Sequence, residues 1–199
     1  MVDSRKPSHP EPEDQVFEGY RSYLYLLARS NIAPRHRARL DPSGLVQQTL
    51  FDAHQRQGQF RGTTGAEAMA WLQQILANNL ADAVRGLARA KRDVSREQSL
   101  DQIADTFSRV DDWLVAVQSS PGERAVRSEE LFRMADALTR LPDLPREAIV
   151  LHYLQELPLA EVGRQLNKTP AAVAGLLHRG LKRLREMMAD VDSGAAVVE

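Results

Sequence analysis

A chain of 199 residues, 43% hydrophobic and 27% charged, can bury a core in one domain or two small ones, which excludes disorder throughout. The net charge of −1 does not by itself argue for a polyanionic partner, and the absence of cysteine excludes disulfides, thiolate zinc sites and thiol nucleophiles. Near-neutrality hides a division. Residues 15–92 carry 11 Lys and Arg against 5 Asp and Glu, residues 93–128 carry 4 against 7, and residues 129–190 carry 9 against 9. Segments of different charge suggest different partners.

Residues 1–14 hold three prolines among mixed charges and read as a disordered tail. With no apolar leader and no stretch near 18 apolar residues, the expected location is the cytoplasm, without membrane insertion. In "VFEGYRSYLYLLARSN", Phe17, Tyr20, Leu24 and Leu27 form one helical stripe. "LDPSGLVQQTLFDAHQRQGQF" predicts a helix capped by Asp41 with Pro42 first, an apolar face of Leu45, Val46, Thr49, Leu50 and Ala53, and a stop at Gly58. After the break "FRGTTG" comes a long helix, about Ala66 to Lys91, with Met69, Leu72, Leu76 and Ala83 inward. Its end carries Arg85, Arg89, Lys91 and Arg92, where cations suit the helix dipole.

Residues 93–127 lose the periodicity and gain acids, and read as a linker with one apolar patch from Val110 to Val117. A second domain over 128–190 is predicted as four helices, opened by a capping Ser128, with a frayed tail over 191–199. Its last two helices are joined by "NKT", a helix-turn-helix connection, after which Thr169 caps and Pro170 starts the final helix. No β-alternation occurs. The expected fold is all-α: two small helical domains, the N-terminal one over 15–92, joined by an acidic linker.

Candidate chemistry is sparse. The histidines at 9, 36, 54, 152 and 178 show no metal-ligand spacing, and His152 reads as a half-buried packing residue. No nucleophile elbow or phosphate loop is present, and the pairs Asp111–Asp112 and Glu129–Glu130 read as solvated or dipole-paired acids. No catalytic residue, metal or cofactor is therefore expected. Binding signals are better. Arg179, Lys182, Arg183 and Arg185 follow the helix-turn-helix and can reach phosphates flanking a groove. Trp71, Gln74, Asn78 and Asn79 precede a basic helix end, which suits stacking on unpaired bases; equally, Trp71 could cap a core while the amides face water.

These stretches, in this order, resemble the extracytoplasmic-function (ECF) class of RNA polymerase sigma factors. "DPSGLVQQTLFDAHQRQGQFRG" is similar to the class pattern "eDlvQetflraw…rFrG", and "AWLQQILANNLADAVRGLARAKRD" to "aWLyrIarNrlrDylRrrrrr". "LTRLPDLPREAIVLHYLQELPLAEVGRQLNKTPAAVAGLLHRGLKRLRE" follows the class's helix-turn-helix pattern. The resemblance implies a subunit, not an enzyme, that binds bacterial core RNA polymerase, recognises the −35 and −10 elements of promoter DNA and promotes melting. It implies core-polymerase docking by Leu45, Val46, Gln47, Thr49 and Leu50. It implies −10 binding by Phe60, Arg61, Trp71, Gln74 and Asn78, with Arg85, Arg89 and Arg92 on phosphates. A helical anti-sigma partner is a family expectation, and a helix-turn-helix regulator acting without polymerase is the alternative.

The final helix departs from the class pattern. Where the class reads "TVKSRLHRA", this chain reads "AVAGLLHRG", so Ala174, Gly175 and Leu176 replace Lys, Ser and Arg. Val173, Leu177, Leu181 and Leu184 face the core by spacing, leaving Lys168, Thr169, Ala171, Ala172, Gly175, His178, Arg179 and Lys182 for the −35 element. Such a smooth face implies weak direct readout, with phosphate contacts and DNA shape supplying specificity.

Overall fold

The computed structural model describes residues 17–33, 36–91, 100–116 and 124–195. Among them every regular element is helical: α1 (Arg21–Asn31), α2 (Pro42–Gln55), α3 (Gly65–Lys91), α4 (Leu100–Ala116), α5 (Arg124–Thr139), α6 (Asp143–Ile149), α7 (Leu159–Leu166) and α8 (Pro170–Ala195). The proposed tail at 1–14, Arg92 and Asp93 lie outside the described residues.

α1 is the axle. Tyr23, Leu24, Leu26, Leu27 and Ala28 cover most of its circumference and all are buried, as expected of a helix packed on every side. Even Ser30 and Asn31 are buried, and their side chains donate to the carbonyls of Leu26 and Leu27 one turn back. α2 begins as its sequence indicates: Asp41 accepts from the amides of Ser43 (3.1 Å) and Gly44 (3.0 Å), with Pro42 at the first position. α3 starts at a capping box, in which the Glu67 amide donates to Thr64 Oγ1 and the Glu67 carboxylate accepts from the amides of Thr63 and Thr64.

The acidic stretch is not an open linker along its whole length. Residues 100–116 form α4, which buries Ile103, Phe107 and Val110 against α1, α3 and α5 while Asp105 and Asp112 point outward. Asp111, expected to be solvated, is half-buried. Its carboxylate accepts from the Tyr23 hydroxyl at 2.6 Å and from Gln73 Nε2 at 3.2 Å, tying α4 to α1 and α3. Burial raises the Asp111 carboxyl above its usual value although both hydrogen bonds pull the other way.

α5 starts at Arg124, so Ser128 lies within the helix instead of capping it. α6 continues into one wide π turn over Val150–Leu154 and then reverses. The turn from α7 to α8 depends on close approach: Asn167 takes a left-handed conformation (φ 53°), and the Lys168 amide donates to the Gly163 carbonyl at 2.8 Å. A Cβ on Gly163 would stand 2.6 Å from the Lys168 carbonyl oxygen, so only glycine fits. Thr169 caps α8 through the Ala172 amide at 3.2 Å. The helix then runs to Ala195, past the expected fraying point at Val191.

The two helical units share one core. Arg29, only 8% exposed, forks onto Glu147 of α6, with Nε 3.0 Å from Oε1 and Nη2 on Oε2. The Gln155 amide faces the carbonyls of Arg29, Ser30 and Ile32 at the end of α1, and its oxygen accepts from Arg37 at 3.0 Å. Arg37 also donates to Gln165 of α7 at 3.1 Å. Burial, with Arg29 alongside and Glu147 opposing, brings the Arg37 guanidinium down to about 10. Tyr20 and Tyr23 meet Phe132 of α5 edge-on, completing the junction.

Candidate nucleic-acid interface

Three surfaces carry the residues singled out in the sequence. On α2 the expected polymerase-docking set divides. Val46, Thr49 and Leu50 are buried in the core, because they share the inward face with Ala53, and Asn79 donates to Thr49 Oγ1 at 3.2 Å and to Asp52 at 3.0 Å. Only Gln47 of the set is fully outward, with Leu45 half-buried at the edge. The outward face is completed by Gln48, His54 and Phe51, whose ring is 55% exposed. Phe51 lies opposite the apolar stripe on which the docking expectation rested. An aromatic residue opposite that stripe was the available signal.

The second surface is the loop before α3. Phe60 lies over Trp71 (ring centroids 5.0 Å apart, planes at 31°), and Phe17 meets the same indole at 5.7 Å. Trp71 is therefore a half-buried support and not an open stacking platform. Gly62 makes this possible: a Cβ there would stand 2.4 Å from the Phe60 ring and 2.8 Å from Glu67 Cβ. Hydrogen bonds from the Thr63 amide and from Thr64 lower the Glu67 carboxyl below its usual value and hold the loop on the helix start. Arg61, Gln74 and Asn78 are exposed, and Gln74 and Asn78 lie on the Trp71 side of α3 by their spacing. Gln73 and Asn79 turn inward to the tethers already described. Arg85 pairs with Asp82 at 2.6 Å on an exposed edge, and Arg89 lies in the final turns of α3. A groove of about 330 Å³ separates α3 from α4, lined by Gln73, Gln74, Phe107 and Asp111.

The third surface is the outer face of α8. Lys168, Thr169, Ala171, Ala172, His178, Arg179 and Lys182 are exposed and Gly175 half-exposed, while Val173, Leu176, Leu177 and Leu184 are buried. Leu176, where the class pattern has Arg, is thus a core residue. Gly180 packs under Ile149 and Pro145 of α6, where a Cβ would stand 2.9 Å from Ile149 Cδ1. Arg183 pairs with Glu186 at 3.2 Å, off the face. His152 is half-buried, its Nδ1 2.9 Å from the Leu157 carbonyl oxygen and its ring edge-on to Tyr153. Among the described residues no His, Asp and Glu cluster could hold a metal, and no helix is long and apolar enough to cross a membrane.

An exposed, capped helix following a tight turn and a supporting helix defines a helix-turn-helix protein. Residues 131–184 match the family Sigma-70, region 4. The chain is 27% identical over 174 residues to the ECF RNA polymerase sigma factor SigM of Bacillus subtilis, covering 87% of this chain and 93% of that protein. It is 31% identical over 122 residues to SigW of the same organism, covering 61% and 62%. Against BldN of Streptomyces coelicolor it is 27% identical over 146 residues, 73% of this chain and half the length of that relative. On these matches the chain is similar to ECF RNA polymerase sigma factors over most of its length, and its helix-turn-helix segment to Sigma-70, region 4.

Proposed function

We propose that this chain is a sigma subunit that joins bacterial core RNA polymerase, engages the −35 and −10 elements of promoter DNA and assists strand opening at initiation. The observation that carries the reading is the outer face of α8: a run of exposed polar, cationic and small residues on a helix whose other side is wholly apolar, within the segment matching Sigma-70, region 4. Lys168, Thr169 and Lys182 suit phosphate contacts there. The loop at 60–65, with Arg61, Gln74 and Asn78 outward and Trp71 behind Phe60, suits a single-stranded −10 base, whose unstacking costs a few kcal/mol. Arg85, Arg89 and Arg92 would neutralise neighbouring phosphates. Docking on polymerase is assigned to the outward face of α2, with Phe51 as its apolar centre beside Gln47, Gln48 and Leu45, while Val46, Thr49 and Leu50 hold the helix from within.

The test is co-elution of the purified chain with core polymerase, followed by transcription from promoter-containing genomic fragments. Wild type is expected to co-elute and to direct specific transcripts. Phe51→Glu is expected to lose both while keeping the wild-type melting temperature. A chain that binds duplex DNA but never core polymerase overturns the reading in favour of a helix-turn-helix regulator.

A further inference from the structure

The groove of about 330 Å³ between α3 and α4 is apolar along most of its length and acidic at one end. Its α4 wall runs from Leu100 to Asp111, 11 residues or about 16 Å along the axis. Ala70, Ala77 and Ala104 line it with nothing larger than a methyl group, so the helices stand apart over a space that longer side chains would close. Phe107 contributes a buried ring to the same wall, and Leu100 remains 44% exposed.

At the acidic end is a carboxylate without a cation. Asp111 accepts from the Tyr23 hydroxyl and from Gln73 Nε2, both neutral donors, and these fill two of a carboxylate's roughly four acceptor positions. Among the described residues no Lys, Arg or His pairs with it. Arg109, the one Lys or Arg of α4, turns instead to Thr106 Oγ1 at 3.0 Å and towards Glu156 at 3.9 Å. On α3, Arg85 lies 12 residues from Gln73, about 18 Å along the helix. Burial, with Asp112 alongside, holds the Asp111 carboxyl above its usual value, the mark of an anion that has lost water and gained no counter-charge.

The chemistry of the groove selects among occupants. An anion would meet an uncompensated carboxylate, and a neutral amphiphile would leave that carboxylate unpaired. Among the described residues no group of three His, Asp or Glu stands ready to hold a metal ion. A cationic N–H donor with an apolar body satisfies both ends, and the volume lies at the small end of the range for ligand sites, about 300–1,000 Å³. Gln74 and Ser108, which is one turn before Asp111, add an exposed amide and hydroxyl at the rim.

We propose that the α3–α4 groove binds a small organic cation, a primary ammonium on a short apolar body, with the ammonium on Asp111 and the body over Phe107, Ala104 and Leu100. α4 packs on α5 as well as on α3, and Trp113 near its end stacks on Tyr153 (centroids 5.7 Å apart, planes at 28°). A ligand bridging α3 and α4 therefore favours the arrangement in which the two helical units share one core. The site does not rest on the proposed function, and its test is independent of polymerase or DNA.

The probe is 2-phenylethylammonium, titrated at neutral pH into the isotope-labelled full chain and followed by NMR. The Ala70, Ala77 and Ala104 methyl groups and the Gln73 side-chain amide are expected to shift saturably, with a Kd of about 1 mM or below. The neutral isostere 2-phenylethanol should bind about 10-fold more weakly or worse. Asp111→Asn, which keeps an acceptor for Tyr23 and removes the charge, should weaken the amine about 10- to 100-fold. Ala104→Leu, which fills the groove from an exposed position, should abolish binding with the Asp111 tethers in place. Hydrogen exchange of the α4 amides should slow with the probe in wild type and not in Asp111→Asn. The absence of saturable shifts up to about ten times the expected Kd overturns the inference. So does equal binding of amine and alcohol, or binding that survives at full strength in Asp111→Asn or Ala104→Leu. Exchange unchanged by a bound probe overturns the link to the shared core.

Discussion

Replacing Glu147 by alanine is expected to cost about 3 kcal/mol of stability. The Arg29 side chain is only 10% exposed, and two of its guanidinium nitrogens are directed at the Glu147 carboxylate. Arg37 stands 4.0 Å from the same carboxylate, its guanidinium already brought down to about 10 by burial and by Arg29. Alanine would leave two poorly solvated cations facing each other without an anion. Removing one partner of a buried pair costs about 3–5 kcal/mol. The lower end applies because the Glu147 side chain retains 22% exposure. In a chain of this size each kcal/mol moves Tm by about 2–4 °C, so a fall of roughly 6–12 °C is expected. Thermal and urea unfolding followed by circular dichroism at neutral pH measures both quantities. The double variant Arg29→Met with Glu147→Leu removes both charges, keeps the volume, and should recover most of the loss. If Glu147→Ala melts within about 2 °C of wild type, the reasoning fails: the pair then counts no more than an exposed one, and apolar packing alone holds the units together.

Three further outcomes follow from the tethers and close approaches. Asp111→Ala takes the acceptor from the buried Tyr23 O–H, which keeps only the bond it receives from Gln73, and should cost about 1–3 kcal/mol, whereas Asp111→Asn keeps an acceptor for it and should stay within about 1 kcal/mol of wild type at neutral pH. Because the folded Asp111 pKa is raised, its stabilising contribution is full below the unfolded value of 3.8 and is lost as pH rises through the folded value; urea titrations at acid and neutral pH should therefore show Asp111→Asn gaining on wild type with rising pH, and a gap independent of pH would contradict this. Gly62→Ala drives a Cβ into the Phe60 ring and should uncover Trp71, read as a red-shifted emission in a Trp113→Phe background; unchanged emission would mean that the loop yields elsewhere. Gly163→Ala forces apart the turn before α8 and should cost about 1–3 kcal/mol, as overpacking does, with duplex binding falling in the same preparations.

Local signals carried much of the fold. The Asp41–Pro42 start, the long α3 and the Thr169–Pro170 start of α8 are each written within a few residues, and the structure has all three. α4 was legible in principle, since Ile103, Phe107 and Val110 recur at four and three residues, but the acids between them drew the reading towards solvent. On α2 the difficulty is physical: an apolar face attracts the protein's own core and a partner alike, and composition does not say which has claimed Val46, Thr49 and Leu50. The Arg29–Glu147 fork joins positions 118 apart, and no periodicity in a single sequence connects them.

The shared core sets a limit on reach. The described residues, about 160 of them in one body, measure roughly 40 Å across. The elements named −35 and −10 lie about 25 base pairs apart, some 85 Å along B-form DNA at 3.4 Å per step. A protein folded around α1 in the manner described is too short a ruler for that distance. To hold both ends of a promoter, the unit carrying α8 has to come away from α1, exposing Arg29, Phe132 and the inner face of α4. On the proposed function, polymerase would then supply more than a docking site: it would take over the surfaces that the two units now give each other.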